Sequence, residues 1–201
     1  MKTIPIHIIY NSKPVVLGNL QSKPKARAEH SCCKIGANEV AIFGGWAGRP
    51  MNDLWSFNFV DMEWRVLVSS GIQPRPRYRH TAEFIGSNMY ILGGSDNNDD
   101  IPEQSRNLTI HVLSLTTLQW THPTISGGFN PFPRSGHGSA VIGTVTIAIF
   151  GGKLNNQVML RRKPLCTLYI LYYTHLLWYD KSYELMQCPP IKSGYYVCSL
   201  L

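Results

Sequence analysis

Short apolar runs recur along the chain, and three of them end in a pair of glycines. They are VAIFGG at 40–45, MYILGG at 89–94 and TIAIFGG at 146–152. Runs of this length, rich in β-branched residues and closed by glycine, are typical of strands rather than helices. Three further apolar runs each end in a tryptophan that stands seven residues after an apolar residue. These pairs are Phe57 and Trp64, Leu113 and Trp120, and Leu171 and Trp178.

A polar, proline-containing segment precedes each Gly-Gly run, and in each segment an arginine stands three residues before a histidine. The segments read PKARAEHSC at 24–32, PRPRYRHTA at 74–82 and PFPRSGHGS at 131–139, with the pairs Arg27/His30, Arg77/His80 and Arg134/His137. The arginines are 50 and 57 residues apart, so the chain repeats with a period of 50 to 58 residues. The Arg/His segment, the Gly-Gly run, the second apolar run and the stretch that ends in the tryptophan each predict a strand, so each unit has four strands and no amphipathic helix.

This combination resembles the kelch repeats of the longer P-x-x-R-x-x-H type, over nearly the whole chain. The resemblance implies an all-β fold, a kelch-type β-propeller with blades of four antiparallel strands. The first strand of each blade would line the central channel, and the fourth would lie outermost. Leu113 and Leu171 depart from the tyrosine that is usual there, and the last unit lacks its glycines.

We expect one kelch-repeat domain over residues 1–201, with about three full blades plus partial ones. Residues 6–16 match residues 110–120, and the segment KSGY at 192–195 falls where the Arg134 to His137 motif would recur. The predicted units are a partial blade 1–20, blades at 21–70, 71–127 and 128–186, and the start of a further blade at 187–201. Because propellers have about four to eight blades, we expect part of a larger propeller, or one completed by self-association or by another chain.

The repeated residues are predicted to be structural. The glycines give the backbone positive φ and allow a neighbouring strand to approach, and each tryptophan can bury on the order of 200 Å² against the adjacent blade. The arginines and histidines could instead form a basic ligand ring or a metal site. However, residues that repeat once per blade are dispersed around an axis, whereas metal ligands lie about 2.0–2.6 Å from one ion. We expect each arginine to bind backbone carbonyls or a carboxylate. The predicted glycines are Gly44, Gly45, Gly93, Gly94, Gly151 and Gly152.

The loops that do not repeat are the candidate partner-binding elements, because variable loops on a rigid scaffold commonly carry function. The first, 46–53, carries Arg49. The second, 95–107, is acidic, and the third, 153–164, is basic. By family analogy, the loops that join the second and third strands share one face with the loops that join successive blades. The charge of this face either steers a partner or is simply solvated. The charged residues are Asp96, Asp99, Asp100 and Glu103 in the second loop, and Arg161, Arg162 and Lys163 in the third.

Composition bears on the class of partner, on the cellular compartment and on membrane insertion. Nineteen Lys and Arg against twelve Asp and Glu give a net charge of +7, but no nucleic-acid-binding motif interleaves the basic residues, so nucleic acid is not the favoured partner. Five cysteines, an odd number without C-x-x-C, favour a reducing compartment, the cytoplasm or the nucleus. The most apolar stretch, 165–179, contains two threonines and a histidine and falls short of a membrane span.

The sequence therefore predicts a noncatalytic scaffold or adaptor that binds protein partners, with no cofactor, metal ion or membrane. No catalytic motif of the hydrolase, P-loop or zinc-protease types is present. Two alternatives stay open. One is a propeller-based oxidoreductase with an architecture like that of galactose oxidase, and the other is a nonfunctional fragment of a larger kelch protein.

Overall fold

A computed structural model describes residues 9–10, 13–14, 23–96, 108–125, 131, 133–154, 168–172 and 177–180. These residues form strands and turns, and none of their segments is a helix long and apolar enough to cross a membrane. The fold is all-β, as predicted. Two short strands, β1 (Ile9–Tyr10) and β2 (Lys13–Pro14), pair with each other near the beginning of the chain.

The first blade is an antiparallel sheet of four strands in sequence order. Its strands are β3 (Ser31–Gly36), β4 (Glu39–Trp46), β5 (Pro50–Asn58) and β6 (Glu63–Val66). β3 is innermost and β6 is outermost. The run that ends in Gly44 and Gly45 is therefore the second strand of its blade, as the repeat pattern predicts.

The second blade has the same four antiparallel strands and gains a fifth at its outer edge. The strands are β7 (Ser70–Gly71), β8 (Thr81–Ile85), β9 (Asn88–Leu92), β10 (Ile110–Ser114) and β11 (Gln119–Thr121). Their order is β8-β9-β10-β11-β7, and β7 runs parallel to β11. The segment that links the first two blades thus covers the outer strand of the second.

The third blade repeats the four-stranded pattern. Two short strands beside it, β12 (Arg134–Ser135) and β15 (Lys153–Leu154), pair with each other. The blade itself is ordered β13-β14-β16-β17 and consists of β13 (Gly138–Ile142), β14 (Thr146–Phe150), β16 (Leu168–Tyr172) and β17 (Leu177–Asp180).

The seven-residue spacing before each tryptophan has a simple geometric origin. In all three blades the apolar residue and the tryptophan face each other across the hairpin between the third and fourth strands. The register pairs are Phe57 with Trp64, Leu113 with Trp120, and Leu171 with Trp178. Residues directly opposite in an antiparallel pair have adjacent side chains, and in the first blade the rings of Phe57 and Trp64 pack 5.0 Å apart.

The hydrophobic core lies between blades, in two clusters. Because side chains alternate along a strand, β9 contributes Met89 and Ile91 to the cluster shared with the first blade, and Tyr90 and Leu92 to the cluster shared with the third. The innermost strands β3, β8 and β13 lie side by side, and the blades that the structure describes do not close into a ring.

Two sequence expectations differ from the structure in detail. The Arg/His pairs lie just before the innermost strands, which begin at Ser31, Thr81 and Gly138, because the residue before each histidine has a positive φ that interrupts the extended backbone. These residues are Glu29, Arg79 and Gly136, with φ of 57°, 58° and 65°. The predicted loop 46–53 is mostly strand, because β4 continues through a bulge to Trp46 and β5 already begins at Pro50.

Candidate binding face

The paired glycines lie where two blades meet. A Cβ added to Gly44 would lie 2.8 Å from the carbonyl oxygen of Arg77 in the next blade, and one on Gly45 would lie 2.7 Å from that of Ala28 in its own blade. Both glycines have positive φ, 60° and 99°. The backbone N–H of Gly45 also donates to the Arg77 carbonyl at 2.8 Å. Each glycine of the pair therefore admits a different neighbouring backbone.

The second blade repeats this arrangement against the third. A Cβ on Gly93 would lie 2.6 Å from the carbonyl oxygen of Arg134, and the N–H of Gly94 donates to the same oxygen at 2.9 Å. Gly151 and Gly152 have the same positive φ, 73° and 89°. The glycine pair is thus a joint between successive blades, and a side chain there would collide with backbone that cannot move aside.

Each repeated arginine binds the backbone of its own glycine pair. The Nη1 atoms of Arg27, Arg77 and Arg134 donate to the carbonyl oxygens of Gly44, Gly93 and Gly151 at 3.0, 2.7 and 2.9 Å. Arg77 is 5% exposed, and burial, together with nearby Arg75, lowers its pKa to about 10 despite the opposing charge of Asp96. The guanidinium therefore stays charged at neutral pH, inside the joint.

Arg27 and Arg77 each have a second partner, which lies in the third strand of the blade or immediately before it. Arg27 forms a two-pronged ion pair with Asp53, whose second oxygen lies 2.7 Å from Nη2, and Arg77 donates to Thr109 Oγ1 at 2.9 Å. Burial alone would raise the pKa of Asp53, but hydrogen bonds from Arg27 and Trp55 outweigh it and lower the pKa below its usual value. Asp53 is therefore ionised and paired with Arg27.

The repeated histidines join each blade to the one before it. His80 Nε2 lies 2.8 Å from Ser31 Oγ, and His137 Nε2 lies 3.0 Å from Thr81 Oγ1. Burial, reinforced by the nearby Arg77 and Arg134 respectively, lowers the pKa of both histidines to about 3. They are neutral hydrogen-bonding groups at physiological pH. Burial and then Arg27 also lower the pKa of His30.

We call this set of repeated arginines, histidines and glycine pairs the joint. Its side chains make contacts within and between blades and are dispersed from one blade to the next. Within the residues that the structure describes, no group of three or more His, Cys, Asp or Glu side chains could hold a metal ion.

A shallow groove of about 560 Å³ lies beside the joint, between the innermost strands β3 and β8. Cys33, Lys34, Glu83 and Phe84 line it. Ser139 donates to Glu83 Oε1 at 2.5 Å, and burial raises the pKa of Glu83 despite that hydrogen bond. The groove is part of the inner wall of the blades.

The turn between β4 and β5 and the segment between the first two blades meet on one face, which we call the loop face. Arg77 N donates to the Met51 carbonyl at 2.8 Å, and Gln73 Nε2 donates to the Asn52 carbonyl at 2.9 Å. The rings of Trp46 and Tyr78 pack edge-on, with centroids 5.2 Å apart. The two kinds of loop therefore share one face, in agreement with the family analogy.

The loop face presents aromatic and charged groups at the boundary between blades. Trp46 is 36% exposed, and the Arg79 guanidinium lies 5.5 Å from the centroid of Tyr78 and 2.8 Å from a carboxylate oxygen of Glu29. Arg49, at the tip of the β4–β5 turn, is exposed, as is Arg75. This part of the face carries mainly positive charge.

The other predicted binding residues are only partly covered by the structure. Asp96 follows Ser95, which pairs with Tyr78 at the edge of the loop face, and Asp96 is half-buried. The remaining charged residues of the two longer loops lie outside the described residues: Asp99, Asp100, Glu103, Arg161, Arg162 and Lys163.

The tryptophans of the outer strands differ in their surroundings. Trp120 is 1% exposed and packs against Phe43 of the first blade, with ring centroids 5.4 Å apart. Trp64 is half-buried and packs against Phe57 of its own blade at 5.0 Å. The side chain of Trp178 lies outside the described part of the structure.

Sequence reasoning expected backbone carbonyls or a carboxylate as partners of the repeated arginines, but it did not identify Asp53 or Thr109. Asp53 and Thr109 lie 26 and 32 residues after their arginines, so no fixed spacing from the arginine reveals them. A signal was nevertheless present, because each stands four residues before the apolar residue that faces the tryptophan, Phe57 and Leu113. Counting backwards from the tryptophan would have found both.

The sequence comparisons agree with this geometry. The family model described as the KLHDC2/KLHL20/DRC7 kelch-repeats domain matches residues 12–199. The chain belongs to the kelch-repeat family. Kelch-repeat domains are generally protein–protein interaction modules, and their β-propeller architecture accounts for the four-stranded blades seen here.

Curated relatives are much longer than this chain. The chain is 34% identical to tip elongation aberrant protein 1 of Schizosaccharomyces pombe over 71% of its own length and 12% of the relative. It is 31% identical to host cell factor 2 of Homo sapiens, over 66% of the chain and 19% of the relative. It is also 35% identical to Rho GTPase-activating protein gacHH of Dictyostelium discoideum, over 71% of the chain and 10% of the relative. The matched region is a small part of each relative.

Proposed function

We propose that this kelch-repeat chain is a noncatalytic scaffold or adaptor that binds a protein partner through its loop face. The observation that carries the proposal is the division between the joint and the loop face. The repeated Arg77 is buried in the joint, whereas Arg75, two residues before it, is exposed on the loop face. Exposed groups that do not repeat remain available to a partner, whereas the repeated ones do not.

The partner that fits this face best presents acidic side chains beside an apolar one. Arg49 and Arg75 supply exposed positive charge, and Trp46, which packs against Tyr78, supplies exposed aromatic surface. Aromatic and arginine side chains are enriched among residues that dominate protein interfaces. The acidic and basic loops at 95–107 and 153–164 would extend this face and set the orientation of the partner by charge.

A peptide-display selection tests the proposal even though the partner is unidentified. Random peptides would be selected on the full chain, and we expect enrichment of sequences with Asp or Glu next to an aromatic or aliphatic residue. The double variant Arg49→Glu/Arg75→Glu should lose these peptides, and Arg65→Glu, at an exposed arginine on β6, is the matched control. Selected peptides that bind wild type and the double variant equally would contradict the loop-face assignment.

The long loops can be tested with the same peptides. Replacing Arg161, Arg162 and Lys163 together by Glu should weaken the binding of acidic peptides further. Unchanged binding would exclude the basic loop from the site, while leaving Arg49 and Arg75 to be judged by the first experiment.

We further propose that the chain works in a reducing compartment, the cytoplasm or the nucleus. The chain has five cysteines, an odd number without C-x-x-C, and the thiols of Cys32 and Cys33 are free. A fluorescent fusion of the full chain, imaged in cells, tests this; accumulation in the secretory pathway would contradict it.

A further inference from the structure

Two histidine rings stack on each other at the open end of the hairpin formed by β10 and β11. The rings of His111 and His122 have centroids 4.7 Å apart and an interplanar angle of 38°. In this hairpin Leu113 pairs with Trp120, and the same register, continued by two residues, places His111 directly opposite His122. His111 is 8% exposed, whereas His122 is exposed. One ring is therefore buried, and solvent reaches the other.

The backbone brings these two side chains as close as an antiparallel pair allows. Ile72 N donates to the Trp120 carbonyl at 3.0 Å, so the backbone groups of Trp120 point outward, away from β10. Trp120 and Leu113 thus form a pair without mutual backbone hydrogen bonds. Because the hydrogen-bonding direction alternates along a strand, His111 and His122 form a pair of the same kind, in which side chains lie closest.

The histidine pair is specific to the second blade. The cross-strand pair at the corresponding position is Trp55 with Val66 in the first blade and Tyr169 with Asp180 in the third. The residues of the joint repeat in every blade, whereas the residues at this position differ in each. The blade architecture therefore does not require histidines here.

Each of the two rings offers a nitrogen lone pair. His122 Nδ1 lies 2.8 Å from the Ile110 carbonyl oxygen, which can only accept, so in the neutral ring Nδ1 carries the proton and Nε2 the lone pair. A carbonyl bonded in this way commonly orients a metal-binding histidine. The buried Nδ1 of His111 has no hydrogen-bond partner among the described residues. Burial, followed by Arg77 and His122, lowers the pKa of His111 to about 3, so its ring is neutral at physiological pH.

The separation of the rings matches that of two imidazoles bound to one metal ion. A metal–nitrogen bond of about 2.0–2.1 Å places the ion about 3.2 Å from each ring centroid. Two rings in adjacent coordination positions, about 90–110° apart at the ion, then have centroids about 4.5–5.2 Å apart. The 4.7 Å between His111 and His122 lies within this range.

We propose that His111 and His122 form a binding site for a divalent transition-metal ion, with two imidazole ligands and water in the remaining coordination positions. Imidazole nitrogen binds Zn²⁺, Cu²⁺ and Ni²⁺, whereas Mg²⁺ and Ca²⁺ prefer oxygen ligands. The nearby charge of Arg77 opposes a bound cation, and Asp96, which interacts with Arg77, offsets part of that charge. Two protein ligands, rather than the four of a structural zinc site, make the ion exchangeable. The site does not depend on the proposed function of the loop face.

Zinc titration of the full chain, followed by NMR of its ¹⁵N-labelled histidine rings, tests the proposal at the level of single residues. We expect the ring resonances of His111 and His122 to shift together and to saturate at the same Zn²⁺ concentration. In His122→Gln, which alters an exposed position, the His111 ring should require at least about tenfold more Zn²⁺, because one ligand of the pair is lost. The ring resonances of His80 and His137 report whether the variant keeps its fold.

The matched control is His7→Gln, at a histidine outside the described residues, which should leave the response of His111 to Zn²⁺ unchanged. Mg²⁺ at the same concentration should shift neither ring. The proposal would be overturned if Zn²⁺ left the two rings unmoved, or if the His111 ring responded equally in wild type and His122→Gln. An equal response to Mg²⁺ and Zn²⁺ would also overturn it, since the shifts would then reflect ionic strength.

Discussion

Arg75 and Arg77 stand two residues apart and have opposite environments. Arg77 lies in the joint, 5% exposed, and donates to the carbonyl of Gly93 and the hydroxyl of Thr109. Arg75 is exposed, and its backbone carbonyl merely accepts a bond from Arg77. The same residue type is structural in one region and available for recognition in the other. Position in the repeat, rather than charge, distinguishes them.

The largest predicted difference in unfolding free energy is between alanine substitutions at the two tryptophans, Trp120 and Trp64. Trp120→Ala removes a fully buried side chain that packs against Phe43 and bonds to Ser69, and should lower the free energy of unfolding by about 4 kcal/mol. Trp64→Ala, at a half-buried position, should cost about half as much. Urea unfolding of the full chain measures both, and equal losses would contradict the burial of Trp120 between the first two blades.

The next largest difference in stability should be between alanine substitutions at two glycines with positive φ. Gly45→Ala combines backbone strain with a Cβ 2.7 Å from the Ala28 carbonyl oxygen, and should cost about 3 kcal/mol or more. Gly48 has a φ of 83° and nothing within 4 Å of an added Cβ, so Gly48→Ala carries the strain alone and should cost about 1 kcal/mol. Thermal unfolding of the pair distinguishes strain from collision, and similar losses would count against the close approach at Gly45.

Acid should weaken the joint. His80 and His137 have folded-state pKa values of about 3, below the usual value of 6.5, so the unfolded chain binds more protons between these limits. Stability is therefore full above about pH 6.5 and falls as the pH drops towards 3. Ionised Asp53, with its lowered pKa, adds to the loss at the acid end.

The matching measurement is the melting temperature at pH 7.5, 6.0 and 5.0 for wild type and His80→Gln. The variant should show a shallower fall, because one group that takes up a proton on unfolding has been removed. An identical pH dependence would mean that His80 is not buried in its neutral form.

The smallest stability effect should come from the loop face. Arg49→Glu/Arg75→Glu should change the unfolding free energy by less than about 0.5 kcal/mol per site, as is usual for exposed positions, while it abolishes binding of the selected acidic peptides. A large loss of stability would place these arginines in the joint and remove the basis of the proposed site.

The repeat made much of the fold predictable from sequence. Gly-Gly runs, tryptophans and Arg/His pairs recur because each satisfies a local rule that every blade must obey, such as the contact between Phe57 and Trp64. Strand ends were less predictable. β4 continues past a bulge at the glycines, so that Trp46 pairs with Pro50. A pattern of apolar residues does not reveal such a bulge.

The contacts that join different units were the hardest to predict. Loops of unequal length separate Arg27 from Asp53 and Arg77 from Thr109, so the pairing is constant in space but not in sequence. The bonds from His80 to Ser31 and from His137 to Thr81 cross between blades and likewise require the three-dimensional arrangement. The proposed role of the loop face rests on residues that do not repeat, so the chain contains no internal comparison for them.

The most direct test of the account is the urea unfolding of Arg77→Met beside Arg75→Met in the full chain. Arg77→Met removes a buried charge-assisted hydrogen bond and leaves the Gly93 carbonyl without this donor, so it should cost about 2–3 kcal/mol. Arg75→Met should leave stability within about 0.5 kcal/mol of wild type. That result is expected if Arg77 is structural and the exposed Arg75 is not, whereas equal effects of the two substitutions would contradict it.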